Sequence, residues 1–406
     1  MSASVTLGGA SGEPAFIPFA YEPVRPSAQV YANQTAFDVP TFYVGNNTPA
    51  PLTETTALVV AGQQPTTVTT SGYTYIGIRA TNIASVVGTA GNEVIIAGNN
   101  GIVYNTNGGN DVVLAGGGNN IIGTLFGASN TVSTFVTGAG NDIIISASGN
   151  NQIIAGTGNN VIALNFGAGN NTVYSQGSDF VFAGAGNDTV GVEVGATVQG
   201  GAGKLTFIGG FGVSSVFGGS GSATIFGGTG TGAFQGGQGG NNLIQAADGA
   251  SAVYTGGANS VAFAAGAGAD TLIASAGNTT LSGGTSTGNN TYRAGDGDGI
   301  QNGVLIGGGV GDDSIFAGRG DATVFGGAGN DVFNFFSTDT GGNPGHTITI
   351  ADFTVGEDRL VIGGYTGVNI PLPQDAGSTT LTLPDGTRIV LQGVSLGGVL
   401  GNTTFS

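Results

Sequence analysis

The side chains best suited to chemistry in this 406-residue chain are aspartates set in glycine-rich turns at a recurring interval. Asp313 in GGVGDDSIF and Asp331 in GGAGNDVFN lie 18 residues apart and hold the same place in their turns. Asp111, Asp142, Asp188 and Asp270 hold that place in looser turns, whose frames are TNGGND, TGAGND, AGAGND and AGAGAD. A lone aspartate in a turn bonds its own backbone and does no more than shape the chain. Repeated in register, aspartates stack negative charge, and a divalent cation is the natural counter-charge. The overall balance points the same way, with 24 acidic residues against seven basic ones and a formal charge of −17.

Other chemistries have little to work with. Cysteine is absent, which removes disulfides, thiolate zinc sites and thiol nucleophiles together. One histidine, His346, excludes an H-E-x-x-H zinc site. Ser286 in GTSTG matches the nucleophile pattern G-x-S-x-G, but such matches arise by chance in a glycine- and serine-rich chain. Arg319-Gly320-Asp321 stands where a turn belongs, which makes that tripeptide a coincidence of the repeat. The seven cations are scattered from Arg25 to Arg388, which argues against nucleic acid and against a membrane-surface helix. No apolar run reaches the roughly 18 residues of a membrane span. The first cation is Arg25, so a basic region followed by an apolar stretch, the mark of a cleaved secretory signal, is not evident.

The elements that must position the aspartates are set by a repeat. From Gly200 the chain runs in nine-residue units: GGAGKLTFI, GGFGVSSVF, GGSGSATIF, GGTGTGAFQ and GGQGGNNLI. Three more run from Gly308, where AGRGDATVF separates the two units already quoted. Position eight is Phe207, Val216, Ile225, Phe234, Leu243, Ile315, Val324 and Phe333, one apolar residue per unit and the expected inward stack. Each unit reads as a glycine turn followed by a short strand, and two units make one coil. The rhythm continues less strictly between about Asn92 and Val190, so a solenoid is expected over 86–336, about 14 coils in all.

The pattern G-G-x-G-x-D-x-U-x, with U apolar, resembles the nonapeptide of RTX (repeats-in-toxin) proteins exported by type I secretion systems. The resemblance implies an all-β fold, a right-handed parallel β-roll or β-solenoid with a C-terminal β cap over 337–406; residues 1–85, with runs such as TFYVG and YTYIGIRA, read as an N-terminal β-rich module. It also implies that Ca²⁺ sits between adjacent turns, held by carboxylates and turn carbonyls. The six aspartates above would supply the carboxylates, and Gly309, Gly311, Gly327 and Gly329 belong to the turns expected to hold the ion. Asp321 falls one position early and is at most an auxiliary ligand, while Asp296 and Asp298 are out of frame. The units from 200 to 244 carry Leu205, Ser214, Ala223, Gly232 and Asn241 at the aspartate position and should be metal-free. Asn120, Asn151, Asn160 and Asn171 also lack the carboxylate and are expected to bond along the stack as an asparagine ladder. About six Ca²⁺ would bring the charge from −17 to about −5.

ITIADFTVGEDRLVI (348–362) resembles the segment that closes the β-roll of serralysin-like and other RTX proteins, and TLTLPDGTRIVLQGV (380–394) resembles the region that type I exporters recognise. Residues 1 to 85 hold eight of the 12 prolines and resemble no family. The expected protein is not an enzyme. It is secreted, extracellular or at the surface of a Gram-negative cell, and assembles as a homo-oligomer or polymer in a surface layer, fibre or biofilm matrix. The competing reading is an adhesin that takes a surface polysaccharide or other glycan through its N-terminal region.

Overall fold

Glycine turns alternate with apolar triplets, and short strands pack in layers with every second side chain inward. The result is a pair of parallel sheets to which successive strands belong alternately. The computed structural model describes residues 84–124, 131–147, 149–164, 166–257, 259–274, 278–294, 303–340, 345–366 and 377–406. N-terminal to these it describes Thr70 and the strands at 4–8, 14–18, 41–44, 56–60, 67–69 and 73–78. Asp296 and Asp298 lie outside the described residues. The chain divides into two compact units, 1–198 and 199–406.

In the first unit, one sheet stacks Tyr73–Ile78, Val94–Ala97, Val112–Leu114, Thr134–Val136, Gln152–Ala155, Thr172–Ser175 and Asp188–Val192 in parallel. The other stacks Ala84–Val87, Ile102–Asn105, Ile121–Thr124, Ile143–Ser146, Val161–Ala163 and Ser178–Phe182. Each strand sends one buried residue to the shared core, so Ile95, Val113, Phe135, Ile153, Val173 and Val190 form one column, and Tyr104, Ile122, Ile144, Ile162 and Val181 the other. The first of these sheets runs back past residue 85, because Thr41–Val44, Thr56–Val60 and Tyr73–Ile78 pair in parallel onto it. Ser4–Gly8 and Pro14–Pro18 form an antiparallel hairpin.

The second unit repeats the plan. Phe207, Ile225, Ile244, Ala262, Leu281, Ile306, Val324 and Ile350 form one buried column in register, and Val216, Phe234, Val253, Leu272, Tyr292, Ile315, Phe333 and Leu360 the other. Full burial of each aliphatic or aromatic side chain contributes about 1.5–3 kcal/mol, so these columns are the main cohesive force. The cap continues the stack: Thr347–Ile350 and Arg359–Gly363 pair in parallel onto Ala322–Phe325 and Val332–Phe336. Thr379–Thr382 folds antiparallel against Arg388–Leu391, which itself lies parallel to Thr347–Ile350.

The sequence reading of the unit GGQGGNNLI needs correction. Leu243, expected inward, is 38% exposed, while Ile244 is fully buried and holds the core column. Gly240 and Asn241 both adopt positive φ, 76° and 53°, and consume one extra residue in the turn. The inward polar position therefore falls on Asn242 rather than Asn241. The other seven position-eight residues point inward as expected.

Candidate metal centre

At the joint between turn and strand, one side chain per turn points into the molecule, and its first oxygen has a fixed task. It accepts the backbone N–H of the equivalent residue one coil earlier, a group that sits just outside the strand ladder and would otherwise be buried without a partner. Glu93 N–H donates to Asp111 Oδ1 at 2.9 Å, Asn120 N–H to Asp142 Oδ1 at 2.8 Å and Asn171 N–H to Asp188 Oδ1 at 2.9 Å. In the second unit Ser251 N–H donates to Asp270 Oδ1 at 2.7 Å, Asn290 N–H to Asp313 Oδ1 at 2.8 Å and Asp313 N–H to Asp331 Oδ1 at 2.8 Å. All six aspartates singled out in the sequence are buried and hold this rung. The residue just before each rung often makes an exposed ladder in the opposite direction, as where Val132 N–H bonds Asn110 Oδ1 and Asn330 N–H bonds Asp312 Oδ1, both at 2.7 Å.

The second oxygen divides the six. In Asp188, Asp270 and Asp313 it accepts an N–H from its own turn, from Gly184 at 2.8 Å, Ala265 at 3.0 Å and Gly309 at 2.7 Å. These three are closed by backbone, the ordinary task of a turn aspartate. Asp111 Oδ2 accepts the Tyr104 hydroxyl at 3.1 Å. Asp142 Oδ2 and Asp331 Oδ2 are buried and have no hydrogen-bond partner. An orphaned, buried carboxylate oxygen is costly unless a cation meets it.

Around Asp331 the turns are closely packed. A Cβ on Gly326 would lie 2.3 Å from Asp331 Oδ2, and one on Gly308 would lie 2.7 Å from Asp313 Oδ2. A Cβ on Gly327 or Gly329 would lie 2.3 Å from the Gly309 carbonyl oxygen or 2.4 Å from that of Gly311. Gly327 and Gly329 also have φ of 95° and 134°, which exclude most side chains. On the preceding coil, Gly309 and Gly311 meet the carbonyls of Ser286 and Gly288 at 2.6 and 2.3 Å in the same way. Carbonyl oxygens thus lie between stacked turns beside the carboxylates, a hard-oxygen donor set suited to Ca²⁺, which takes six to eight such ligands. Among the described residues no three acidic or histidine side chains converge on one point, so the backbone has to supply most of the ligands.

Burial raises the carboxyl pKa of Asp331 and Asp270 to about 6 and that of Asp111 to about 7. Burial also raises Asp313, Asp179 and Asp358. Next to Asp331 stand Asp358, Asp313 and Asp352, whose negative charges add to the effect. A bound cation reverses this by favouring the ionised form.

Two carboxylate rungs escaped the sequence reading. Asp179 lies in QGSDFVF, which lacks the glycine frame, yet it is buried and accepts the Asn160 N–H at 2.8 Å. Asp358, inside the cap segment, accepts the Asp331 N–H at 3.0 Å and closes on Thr354 N–H at 2.7 Å. The spacing from Asp331 to Asp358 is 27 residues rather than 18, which hides it from a fixed period. Asp321 accepts the Thr347 N–H and holds the first cap strand, while Arg319 bonds the Thr338 carbonyl. Ser286 is buried in its turn beside Asn290, with no strand-to-helix elbow, and His346 is buried against Thr387.

Fold and site together define a parallel β-solenoid with carboxylate turns of the calcium-binding kind. The family model of the RTX calcium-binding nonapeptide repeat, four copies, matches residues 104–128, 132–162, 167–190, 263–286 and 307–335, and all six aspartates fall within those segments. These segments match RTX calcium-binding nonapeptide repeats, which are calcium-binding motifs. Among solved structures it is similar to the extracellular lipase LipA from Serratia marcescens, at 13% identity and a TM-score of 0.18, over 80% of this chain. The chain spans about 40% of that lipase. No curated protein matches it. No helix among the described residues is long and apolar enough to cross a membrane.

Proposed function

We propose that this is a secreted, calcium-dependent structural protein that assembles with copies of itself outside a Gram-negative cell, as a surface layer, fibre or matrix component, and that it is not an enzyme. One observation carries the reading. On the outer face of the second sheet in the first unit, Ile121, Ile143, Val161 and Phe180 stand in register on four consecutive strands and are 41%, 40%, 37% and 51% exposed. Ile145, Ala163 and Phe182 form a second column beside them. A continuous apolar face of this kind marks an interaction surface. Only 8% of the chain is charged, so little side-chain charge opposes the meeting of two such faces once calcium has reduced the net −17. Export by a type I system is the route RTX repeats support, with low cytosolic calcium delaying folding until the chain emerges.

Electron microscopy and sedimentation of the chain refolded in millimolar Ca²⁺ or in chelator test this directly. Ordered assemblies in calcium, lost in Ile143→Lys/Phe180→Lys with folding intact, support it. A folded monomer in calcium that never assembles overturns it. A second reading, a glycan-binding adhesin, has its own observation in the second unit. There Tyr254, Ile273, Arg293, Phe316 and Asp339 line a groove, with the Arg293 guanidinium 4.0 Å over the Phe316 ring. Loss of polysaccharide binding in Tyr254→Ala, with assembly unchanged, would favour it.

A further inference from the structure

The asparagines that replace aspartate on the inward rung are not simply neutral fillers. Their Oδ1 atoms do what Asp Oδ1 does: Asn120 accepts the Ile102 N–H at 3.1 Å, Asn160 the Asp142 N–H at 2.8 Å and Asn171 the Asn151 N–H at 3.0 Å. This settles the orientation of each amide, because a flipped amide would set its NH2 against an N–H donor. The nitrogen then stands where Asp places its second oxygen. Asn120 Nδ2 donates to the Gly116 carbonyl at 3.3 Å, the Gly118 carbonyl at 3.1 Å and Asp142 Oδ1 at 2.8 Å. Asn160 Nδ2 donates to the Gly156 carbonyl at 3.0 Å and Asp179 Oδ1 at 2.9 Å, and Asn171 Nδ2 to the Gly169 carbonyl and Asp188 Oδ1, both at 3.0 Å.

Each of these three amides therefore gathers carbonyl oxygen from its own turn and a carboxylate from the next coil, which is the donor set a calcium ion seeks, whereas Asn151 Nδ2 donates to Ser146 Oγ at 2.6 Å. At Asp142, Asp179 and Asp331, where aspartate stands instead, the corresponding atom is an oxygen without a partner. We infer that the asparagine amide occupies the place that calcium takes where the second carboxylate oxygen is left open, so that Asn at this one position gives an amide-closed turn, while Asp gives a turn closed either by its own N–H, as at Asp188, Asp270 and Asp313, or by metal. The arrangement of the columns fits. In the first unit the column runs Asn120, Asp142, Asn160, Asp179, so an amide separates each carboxylate from the next. In the second unit Asp313, Asp331 and Asp358 follow one another without an amide between them. Metal-closed turns are thereby expected in both units, singly at Asp142 and Asp179 between amides in the first and at Asp331, within a run of carboxylates next to the cap, in the second.

The inference rests on calcium binding at the carboxylate turns, and its test separates the two. Calcium bound per chain is counted by calorimetric titration of the 406-residue protein, and Tm is measured in chelator and in millimolar Ca²⁺. Asn120→Asp should add about one calcium, lower Tm in chelator and recover it in calcium. Asp331→Asn should remove about one calcium and raise Tm in chelator, since it installs an amide among the turn oxygens. A wild-type chain that binds no calcium overturns both readings. Wild-type binding with no added ion in Asn120→Asp, failure of that variant to fold in calcium, or a lower chelator Tm in Asp331→Asn overturns the amide inference alone.

Discussion

Residues 307–335 and residues 200–235 have the same glycine frame, the same parallel strands 18 residues apart and the same inward column, yet they close their turns in opposite ways. The first region places Asp313 and Asp331 on the rung beside stacked carbonyls. The second holds no acidic residue at all. There Leu205 and Ala223 turn apolar side chains into the same slot, and at Gly232 the Phe234 ring fills it, since a Cβ on Gly232 would lie 2.1 Å from that ring. The comparison teaches that glycine frame and apolar column set the coil, while the sixth position of the unit decides what holds the turn together.

The largest effect that tests this is in the column the regions share. Phe234→Ala should cost about 3–5 kcal/mol in urea unfolding, and Phe333→Ala a similar amount, in calcium and in chelator alike. A cost that vanishes in chelator at either site would break the claim of a common core. Next comes metal removal. At a calcium concentration about 100 times the dissociation constant, each ion adds about 2.7 kcal/mol, so chelation should lower amide-exchange protection across 307–335 and leave 200–235 protected. Equal loss in both regions would mean that the stack answers to calcium as one body.

The pH response is smaller and has a definite sign. The calcium-free fold holds protons on Asp331 and Asp270 up to about pH 6 and on Asp111 up to about pH 7, against an ordinary 3.8. Their contribution to stability is therefore complete below about pH 4 and is lost as pH rises through 6 to 7. Tm in chelator should fall between pH 5 and pH 7.5, and calcium should reverse the slope because the ion displaces those protons. The smallest effect is expected on the outer face: Phe226→Ser, at a residue 38% exposed, should change stability by no more than about 0.5 kcal/mol. A larger loss would show that outer columns also hold the coils together.

The repeat was legible because a glycine frame and one apolar residue at a fixed offset are local properties, so strand order, the inward column and all six aspartate rungs follow from spacing. Spacing failed where the period changed. An extra left-handed residue at Asn241 moved the rung to Asn242, and the 27-residue step to Asp358 concealed a carboxylate beside Asp331. Only the tertiary structure distinguished Asp142 and Asp331, whose second oxygens are orphaned, from Asp188, Asp270 and Asp313, whose own turns supply an N–H. All five stand in similar frames, and the difference lies in where one turn N–H goes: Gly138 N–H bonds the Gly116 carbonyl and Gly327 N–H bonds Asp352 Oδ2, instead of the aspartate of their own turn. The residue type at each rung is written in the sequence, but whether that rung is satisfied depends on neighbours 17 to 27 residues away.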